Sequence, residues 1–217
     1  MRVRDIMTTK VLTVSSDTTI NTAEEILSKH RIRRLPVVDK GKLVGVISMD
    51  AILKATAPSN APIAIWKLPH FFLGMKVEEI MSKNLVTAAP DMTVASAAYL
   101  AQKKKVGCLP VIDNIRLVGI VTTNDFFYKV FNPLLGILQK GTQFTIRDPR
   151  NTSSIVEVFS CFNKHNARIL AIRYIGTEPD NDRYLSIRVE TTEESQLESD
   201  LKNLGYDVEI LRFSDDV

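Results

Sequence analysis

The segment LPVIDNIRLVGIVTTND at residues 109–125 decides the fold, because it repeats the segment LPVVDKGKLVGVISMDA at residues 35–51. The correspondence extends outward at a constant offset of 74 positions and aligns residues 3–51 with residues 77–125 without a gap. A chance match would not keep so many identities in one order. The sequence therefore indicates an internal duplication.

Each copy follows the order β-α-β-β-α in its hydrophobic pattern. A short strand signal at residues 11–14, and again at 85–88, precedes a helix that begins after an Asp and a Thr. Two β-rich runs follow, and a final helix at residues 49–55 or 123–131 completes the copy. A unit of about 50 residues is too small to bury both faces of its sheet, so we expect the copies to pack as a pseudo-twofold module. The buried face of the first long helix is predicted to comprise Ile20, Ala23 and Leu27.

Three short motifs in each copy resemble the CBS domain family. In the first copy they are Asp5-Ile6-Met7, Leu35-Pro36-Val37-Val38-Asp39 and Leu43-Val44-Gly45-Val46-Ile47-Ser48. Two linked copies resemble the paired arrangement called a Bateman module, here with repeats at residues 1–56 and 76–132. In that family the paired repeats form clefts that bind adenine nucleotides or related adenosyl ligands. The resemblance therefore implies binding without catalysis, with ATP, ADP, AMP or S-adenosylmethionine as a regulatory ligand and no catalytic cofactor.

The family's ribose and phosphate motif is complete in the second copy, where Gly119 is followed by Thr122 and Asp125. A carboxylate can accept hydrogen bonds from both ribose hydroxyls, and a hydroxyl at a helix start can bind a phosphate together with backbone N–H groups. The resemblance implies that Thr122 and Asp125 contact the ligand. The structural alternative is that Thr122 caps the helix and Asp125 lies in its first turn.

The first copy departs from this motif, because Ser48 is followed by Ala51 where the carboxylate belongs. Its cleft, with Ser48 as a candidate ligand residue, is predicted to be degenerate or adapted to another ligand. Arg33 and Arg34 precede the strand that directs basic side chains toward phosphates in nucleotide-binding relatives. We hypothesise one site that combines the second copy's motif with both arginines, for which a solvated helix end is the alternative. The family pattern adds Thr87 as a wall of the same cleft.

An inserted segment at residues 57–75 separates the two copies. Three prolines interrupt regular structure there, and its large aromatic residues are Trp66, Phe71 and Phe72. This apolar content favours packing against the module, and the alternative is an interface with a second chain.

Residues 142–214 have a different pattern, β-α-β-β-α-β, which is typical of the ferredoxin-like split βαβ arrangement. A capping box at Thr191 and Glu194 is predicted to start the second helix of this tail. The buried face of that helix is predicted to comprise Leu197, Leu201 and Leu204. After a CBS pair, such a tail resembles an ACT domain, and the whole chain is similar to CBS–ACT proteins of the acetoin-utilisation type. The fold class is therefore predicted as α/β (α+β).

The loop at residues 148–152 contains no Gly, whereas ACT domains that bind amino acids usually carry one there. The two alternatives for this tail are an amino-acid site and a pairing domain that assembles dimers. His165, near the end of the first predicted helix of the tail, is interpreted as a cap rather than a ligand or a base.

The composition argues against several classes of protein. A net charge of +3 is too small for nucleic acid to be an expected partner, and no apolar run approaches the roughly 18 residues that cross a membrane. Cys108 and Cys161 are the two cysteines, and their spacing predicts neither a disulfide framework nor a zinc site. We expect a cytoplasmic protein in a reducing compartment.

No nucleophile, base and orienting group converge in the sequence, so we do not expect an enzyme. The leading hypothesis is an allosteric sensor in which ligand binding between the repeats changes an interface presented to a second subunit or a regulated enzyme. A homodimer is the expected assembly. The alternative is an assembly or scaffold protein whose clefts are vestigial.

Overall fold

The computed structural model describes residues 1–56, 74–137, 140–147, 152–176 and 183–213. Two compact units divide the chain, Met1–Phe127 and Tyr128–Val217. Trp66, Phe71 and Phe72, the aromatic residues of the inserted segment, lie outside the described residues. Within the described ranges, no helix combines the length and the apolar character needed to span a bilayer.

The first unit contains the two repeats, each with the same order of elements. The first repeat comprises α1 (Val3–Ile6), α2 (Ile20–Lys29), β1 (Arg34–Asp39), β2 (Lys42–Ser48) and α3 (Met49–Thr56). The second repeat comprises α4 (Val77–Ile80), α5 (Val94–Lys104), β3 (Cys108–Asp113), β4 (Arg116–Thr122) and α6 (Thr123–Phe126). The helix expected at residues 123–131 is confirmed, because every residue of this range is helical. Its first part is α6, and its second part is a π-helical turn (Phe127–Phe131). The next helix, α7 (Asn132–Leu135), follows directly and carries Pro133 in its first turn, where proline is tolerated.

The two β-rich runs of each repeat form an antiparallel hairpin, β1 with β2 and β3 with β4. Their tight turns require positive φ angles, which Lys40 and Asn114 adopt at 49° and 54°. The predicted helix face is confirmed, because Ile20, Ala23 and Leu27 are all buried. These side chains share one core cluster with apolar residues of both strands of the first hairpin, namely Leu35, Val37 and Ile47.

The strands expected at residues 11–14 and 85–88 are reduced to one parallel bridge each, at Val14 and at Ala88. Val14 accepts from Val38 N (2.8 Å) and donates to Pro36 O (3.2 Å). The next hydrogen bond of a parallel ladder would need an N–H from Pro36, which proline lacks. Pro110 stands at the same position beside Ala88, so the same chemistry stops both strands.

The opening segment of each repeat packs on the other repeat. Val3 N donates to Met92 O (2.9 Å), and Thr8 exchanges two backbone hydrogen bonds with Ile120 of β4. Residues 75–82 reciprocate, because Ser82 exchanges two backbone hydrogen bonds with Val46 of β2. We call this arrangement the segment exchange. It places the first residues of one repeat beside the strand that ends in the ligand motif of the other.

The second unit contains a four-stranded antiparallel sheet with the strand order β6-β7-β5-β8. After α7, its elements are β5 (Gly141–Arg147), α8 (Thr152–Lys164), β6 (Arg168–Gly176), β7 (Arg183–Glu190), α9 (Glu194–Asn203) and β8 (Asp207–Phe213). One core cluster joins both helices to the sheet. At its centre Phe144 and Phe162 pack edge to face, with ring centroids 5.4 Å apart.

The capping box predicted at Thr191 and Glu194 is wrong. Glu193 is the N-cap of α9, and the Thr191 hydroxyl accepts from its backbone N–H (3.2 Å). The Glu194 carboxylate instead accepts from the Thr142 hydroxyl and from Arg212 Nε (2.7 Å), two partners that the neighbouring strands provide. Leu204, predicted on the buried face, is 46% exposed because α9 ends at Asn203.

We expect Phe144→Ala to lower the free energy of unfolding of the second unit by about 3–5 kcal/mol, because a large buried side chain leaves a cavity at the centre of the core. Native-state hydrogen exchange measures this loss as reduced protection of amides in β5 and β7. Val156→Ala, at an exposed position on α8, is the matched control and should change stability by less than about 0.5 kcal/mol. Equal effects of the two substitutions would contradict this description of the core.

Candidate ligand-binding site

A cavity of about 500 Å³ lies between the two repeats of the first unit, within the usual range for small-molecule sites. Its lining residues come from four stretches of both repeats, namely residues 8 and 10–12, 31–34 with Pro36, Gly107, and Ile120 with residues 122–125. We call it the Asp125 cavity. Both repeats contribute to its walls. The segment exchange brings residues 8–12 of the first repeat next to β4 of the second.

Asp125 lies in the first turn of α6, lines the cavity and is 8% exposed. Its Oδ2 accepts from the Thr122 backbone N–H (2.8 Å) and from the Thr122 hydroxyl (2.7 Å). Thr122 therefore caps α6 and Asp125 lies in its first turn, as the structural alternative predicted, and the two residues form a capping box. The same geometry orients the carboxylate, because one oxygen is fixed by the cap while the other lies toward the first repeat.

Thr8 is a cavity residue that the sequence reasoning missed. Its hydroxyl donates to Asp125 Oδ1 at 3.4 Å, a long hydrogen bond across the two repeats. The internal duplication carried a signal for it, because the position 74 residues later is Ser82, a second hydroxyl. Only the segment exchange reveals which cavity each hydroxyl enters.

Arg33 and Arg34 also line the Asp125 cavity, so the structure brings these two predicted residues together with Thr122 and Asp125. Arg34 Nη1 lies 3.5 Å from Gly107 O, the carbonyl of the residue that precedes β3. Gly107 makes this approach possible, since a Cβ there would lie 2.7–2.8 Å from the Arg34 guanidinium. Arg31 and Lys10 add two further cations to the lining. The lining therefore carries four cationic side chains and a single carboxylate, that of Asp125.

Ser48 lines a different cavity of about 200 Å³, which is the pseudo-twofold counterpart of the first. Its hydroxyl accepts from Ala51 N (3.1 Å), which repeats half of the Thr122 cap without the returning carboxylate. Ser82 enters this smaller cavity as Thr8 enters the larger one, and Arg34 lines both. The first repeat's cavity therefore offers less space and no acidic group from its own motif.

Thr87 does not line either cavity. It is half-buried next to Ala88, whose parallel bridge to Val111 ties this stretch to its own repeat. Leu85 and Val86, just before it, line the smaller cavity. The structure therefore separates Thr87 from the four residues that it was predicted to join.

Cys108 is buried where β3 begins, beside Arg34. Burial raises the pKa of its thiol, and the charge of Arg34 offsets part of that rise. A thiol that keeps its proton is a poor nucleophile, so Cys108 contributes packing to this region.

Paired hairpin repeats that enclose a cavity between them define a class of tandem-repeat module. The family model for the CBS domain matches residues 3–58 and 77–132, more than half of the 217 residues. The chain belongs to the CBS domain family.

Two curated relatives each align with 57% of the chain. CBS domain-containing protein YhcV of Bacillus subtilis is 35% identical over 124 residues, which are 57% of this chain and 81% of YhcV. L-aspartate semialdehyde sulfurtransferase of Methanocaldococcus jannaschii is 38% identical over 125 residues, again 57% of this chain. The match spans only 22% of the sulfurtransferase, so it concerns a small part of that enzyme.

Solved structures give the same family. The CBS domain pair of protein MJ0100, in complex with 5′-methylthioadenosine and S-adenosyl-L-methionine, has a TM-score of 0.51 at 36% identity, covering 61% of this chain and 96% of that one. A Vibrio cholerae protein assigned to acetoin utilization (AcuB) has a TM-score of 0.54 at 31% identity, covering 64% and 96%. CBSX2 in complex with AMP has a TM-score of 0.51 at 27% identity, covering 60% and 96%.

Proposed function

We propose that this chain is a non-catalytic regulatory protein that binds an adenine nucleotide or a related adenosyl ligand in the Asp125 cavity. One observation carries the proposal: the cavity combines Thr122 and Asp125 of the second repeat with Arg33 and Arg34 of the first. Acidic and cationic groups thus face a single space of suitable size. The ligands named for MJ0100 and CBSX2 support an adenosyl compound as the occupant.

The chemistry of the lining side chains suggests how such a ligand is oriented. The Asp125 carboxylate suits the two ribose hydroxyls, because a carboxylate accepts hydrogen bonds from both. Arg33 and Arg34 suit phosphate oxygens, since a guanidinium donates two parallel hydrogen bonds to such a group. Among ATP, ADP, AMP and S-adenosylmethionine, the four cationic side chains of the lining favour the three ligands that carry phosphate.

Regulation follows from the position of the cavity. A ligand that contacts residues of both repeats favours the relative packing that fits it, and its differential affinity sets the size of the shift. We propose that the shift is transmitted to an interface with a regulated enzyme or with a second subunit of a homodimer.

The second unit is proposed to be an ACT-like domain. The element order β5-α8-β6-β7-α9-β8 supports this assignment, as does the strand order of its antiparallel sheet. The loop that would show whether the domain accepts an amino acid, residues 148–151, lies outside the described residues. A pairing role in a homodimer is the assignment we adopt for this domain.

A scaffold protein with vestigial cavities is the second candidate. The capping box favours it, because Asp125 Oδ2 already accepts two hydrogen bonds from Thr122 within the chain. Ala51 favours it as well, since the first repeat has no carboxylate at the matching position.

Calorimetric titration with AMP, ADP, ATP and S-adenosylmethionine distinguishes the two candidates. The regulatory function predicts saturable heat with one ligand per chain and a higher Tm at saturating ligand, since ligand that binds only the folded state stabilises it by about 2.7 kcal/mol at 100 times Kd. No heat and no change in Tm with any of the four ligands would support the scaffold.

A further inference from the structure

We propose that the second unit carries a Zn²⁺ site formed by Cys161, His165 and Asp200. One donor atom from each of these residues lies within 4.8 Å of the other two. Cys161 lies in the last turn of α8, and His165 directly follows the last residue of that helix. The His165 N–H still donates to Cys161 O (3.4 Å), so the helical turn extends to His165 and both side chains lie on one face. Asp200 faces them from α9. The site lies outside the unit that contains the Asp125 cavity and does not depend on the proposed function.

The distances between the donor atoms suit a tetrahedral ion after small shifts of the side chains. His165 Nε2 and Asp200 Oδ2 are 2.9 Å apart. Donor atoms bound to tetrahedral Zn²⁺ at about 2.0–2.3 Å stand roughly 3.3–3.8 Å from one another. The closest pair must therefore open slightly, and any pair near the 4.8 Å limit must close by about 1 Å. Both helices pack into one core through Phe162 and Leu201, which holds the donors near these positions.

Glu193 completes the arrangement as an orienting group. Its Oε2 lies 2.6 Å from His165 Nδ1. A histidine that binds a metal commonly donates its other ring N–H to a carboxylate, which fixes the tautomer. In the metal-free chain both ring nitrogens contact carboxylates, and the hydrogen bonds to Glu193 and Asp200 raise the pKa of His165. Zn²⁺ must therefore take the place of the proton on Nε2, while Glu193 keeps the proton on Nδ1.

The donor set selects zinc over hard cations. A thiolate, an imidazole and a carboxylate are ligands that Zn²⁺ accepts, whereas Mg²⁺ and Ca²⁺ prefer oxygen donors alone. Cys161 is 6% exposed and the His165 side chain 8%, while the Asp200 side chain is 31% exposed. An ion therefore enters from the Asp200 side and keeps a position for water. Burial raises the pKa of the Cys161 thiol, with Asp200 adding to the rise, so the metal-free thiol is no reactive redox group.

Lys164 competes with the ion for Asp200. Its Nζ lies 2.7 Å from the same Oδ2 that contacts His165. Zn²⁺ must displace this ammonium group. The Lys164 side chain is 68% exposed, so it can turn into solvent. Removing the competing charge should strengthen metal binding, so Lys164→Gln is expected to raise the Zn²⁺ affinity several-fold.

The test is optical titration of the untagged, reduced full chain with Co²⁺, followed by displacement with Zn²⁺. We expect visible d–d bands of tetrahedral intensity and a near-ultraviolet thiolate-to-cobalt band, both at one ion per chain and both lost when Zn²⁺ is added. Cys161→Ser should remove the charge-transfer band, and His165→Gln should weaken Zn²⁺ binding by about tenfold or more. Cys108→Ser, which removes the cysteine of the other unit, is the matched control and should keep both signals.

Two outcomes would overturn the site. The first is no thiolate-to-cobalt band in the unsubstituted chain at stoichiometric Co²⁺. The second is a band that survives Cys161→Ser but disappears in Cys108→Ser. Circular dichroism of each variant without metal shows whether the variant is folded. If a variant loses the signal because it is unfolded, the test rests on the higher Zn²⁺ affinity expected for Lys164→Gln.

Discussion

Asp125→Ala is expected to weaken binding of an adenine nucleotide by about 100-fold. The substitution removes a carboxylate that we propose accepts hydrogen bonds from both ribose hydroxyls, and hydrogen bonds to a charged group contribute about 1.5–3 kcal/mol each. Two bonds near the lower value amount to about 3 kcal/mol, and each 1.4 kcal/mol is a tenfold change in Kd. Calorimetric titration of the variant beside the unsubstituted chain measures the effect.

The control must separate ligand contact from capping, because Asp125 also closes the capping box of α6. Glu79→Ala removes the same kind of carboxylate-to-backbone hydrogen bond at the start of α4, where Glu79 Oε1 accepts from Lys76 N (2.7 Å), and Glu79 does not line the Asp125 cavity. Each substitution should reduce stability by about 1 kcal/mol, and only Asp125→Ala should weaken binding. Unchanged affinity in folded Asp125→Ala would refute the proposed ribose contact.

The second large effect is expected from the double substitution Arg33→Ala and Arg34→Ala. We expect the affinity for ATP to fall about 30-fold, since two charge-assisted contacts to phosphate are removed, while adenosine binding changes less than about twofold. The dependence of ATP affinity on salt should also become weaker, because fewer ionic contacts remain to be screened. Titrations with ATP and with adenosine at two salt concentrations give both results.

Lys103→Ala with Lys104→Ala is the matched control for this experiment. It removes the same charge from the first unit, but both lysines are exposed at the end of α5 and do not line the Asp125 cavity. ATP affinity should therefore change little. Equal losses for ATP and adenosine in the arginine variant would mean that the two arginines shape the cavity rather than hold phosphate.

The duplication made much of the first unit predictable. The hairpin pattern occurs in both copies at a fixed offset of 74 residues, so each copy supports the prediction for the other. The formation of hairpins and amphipathic helices also depends mainly on residues close together in sequence. Where a long-range partner intervenes, the prediction fails. Glu194 bonds to Thr142 and Arg212 of the adjoining strands instead of closing a local cap. Pro36 removes the N–H that a longer first strand would need.

The ligand cavity was predictable to the extent that its residues belong to recognisable motifs. Thr122, Asp125, Arg33 and Arg34 come from such motifs, and the structure brings them to one space. Thr8 was missed because its contact with Asp125 joins residues 117 positions apart. The proposed zinc site was missed for a similar reason, since Asp200 lies 35 residues beyond His165 on another helix.

The segment exchange means that the unit of duplication and the unit of folding are out of register. The two copies in the sequence begin at residues 3 and 77. In the structure, however, residues 1–8 form backbone hydrogen bonds with the second repeat, and residues 75–82 form them with the first. A chain cut between the copies would therefore yield two halves, each carrying a piece that fits the other and lacking the piece that it needs. Neither half is a domain in its own right. The duplication therefore produced two copies that each depend on the other to fold.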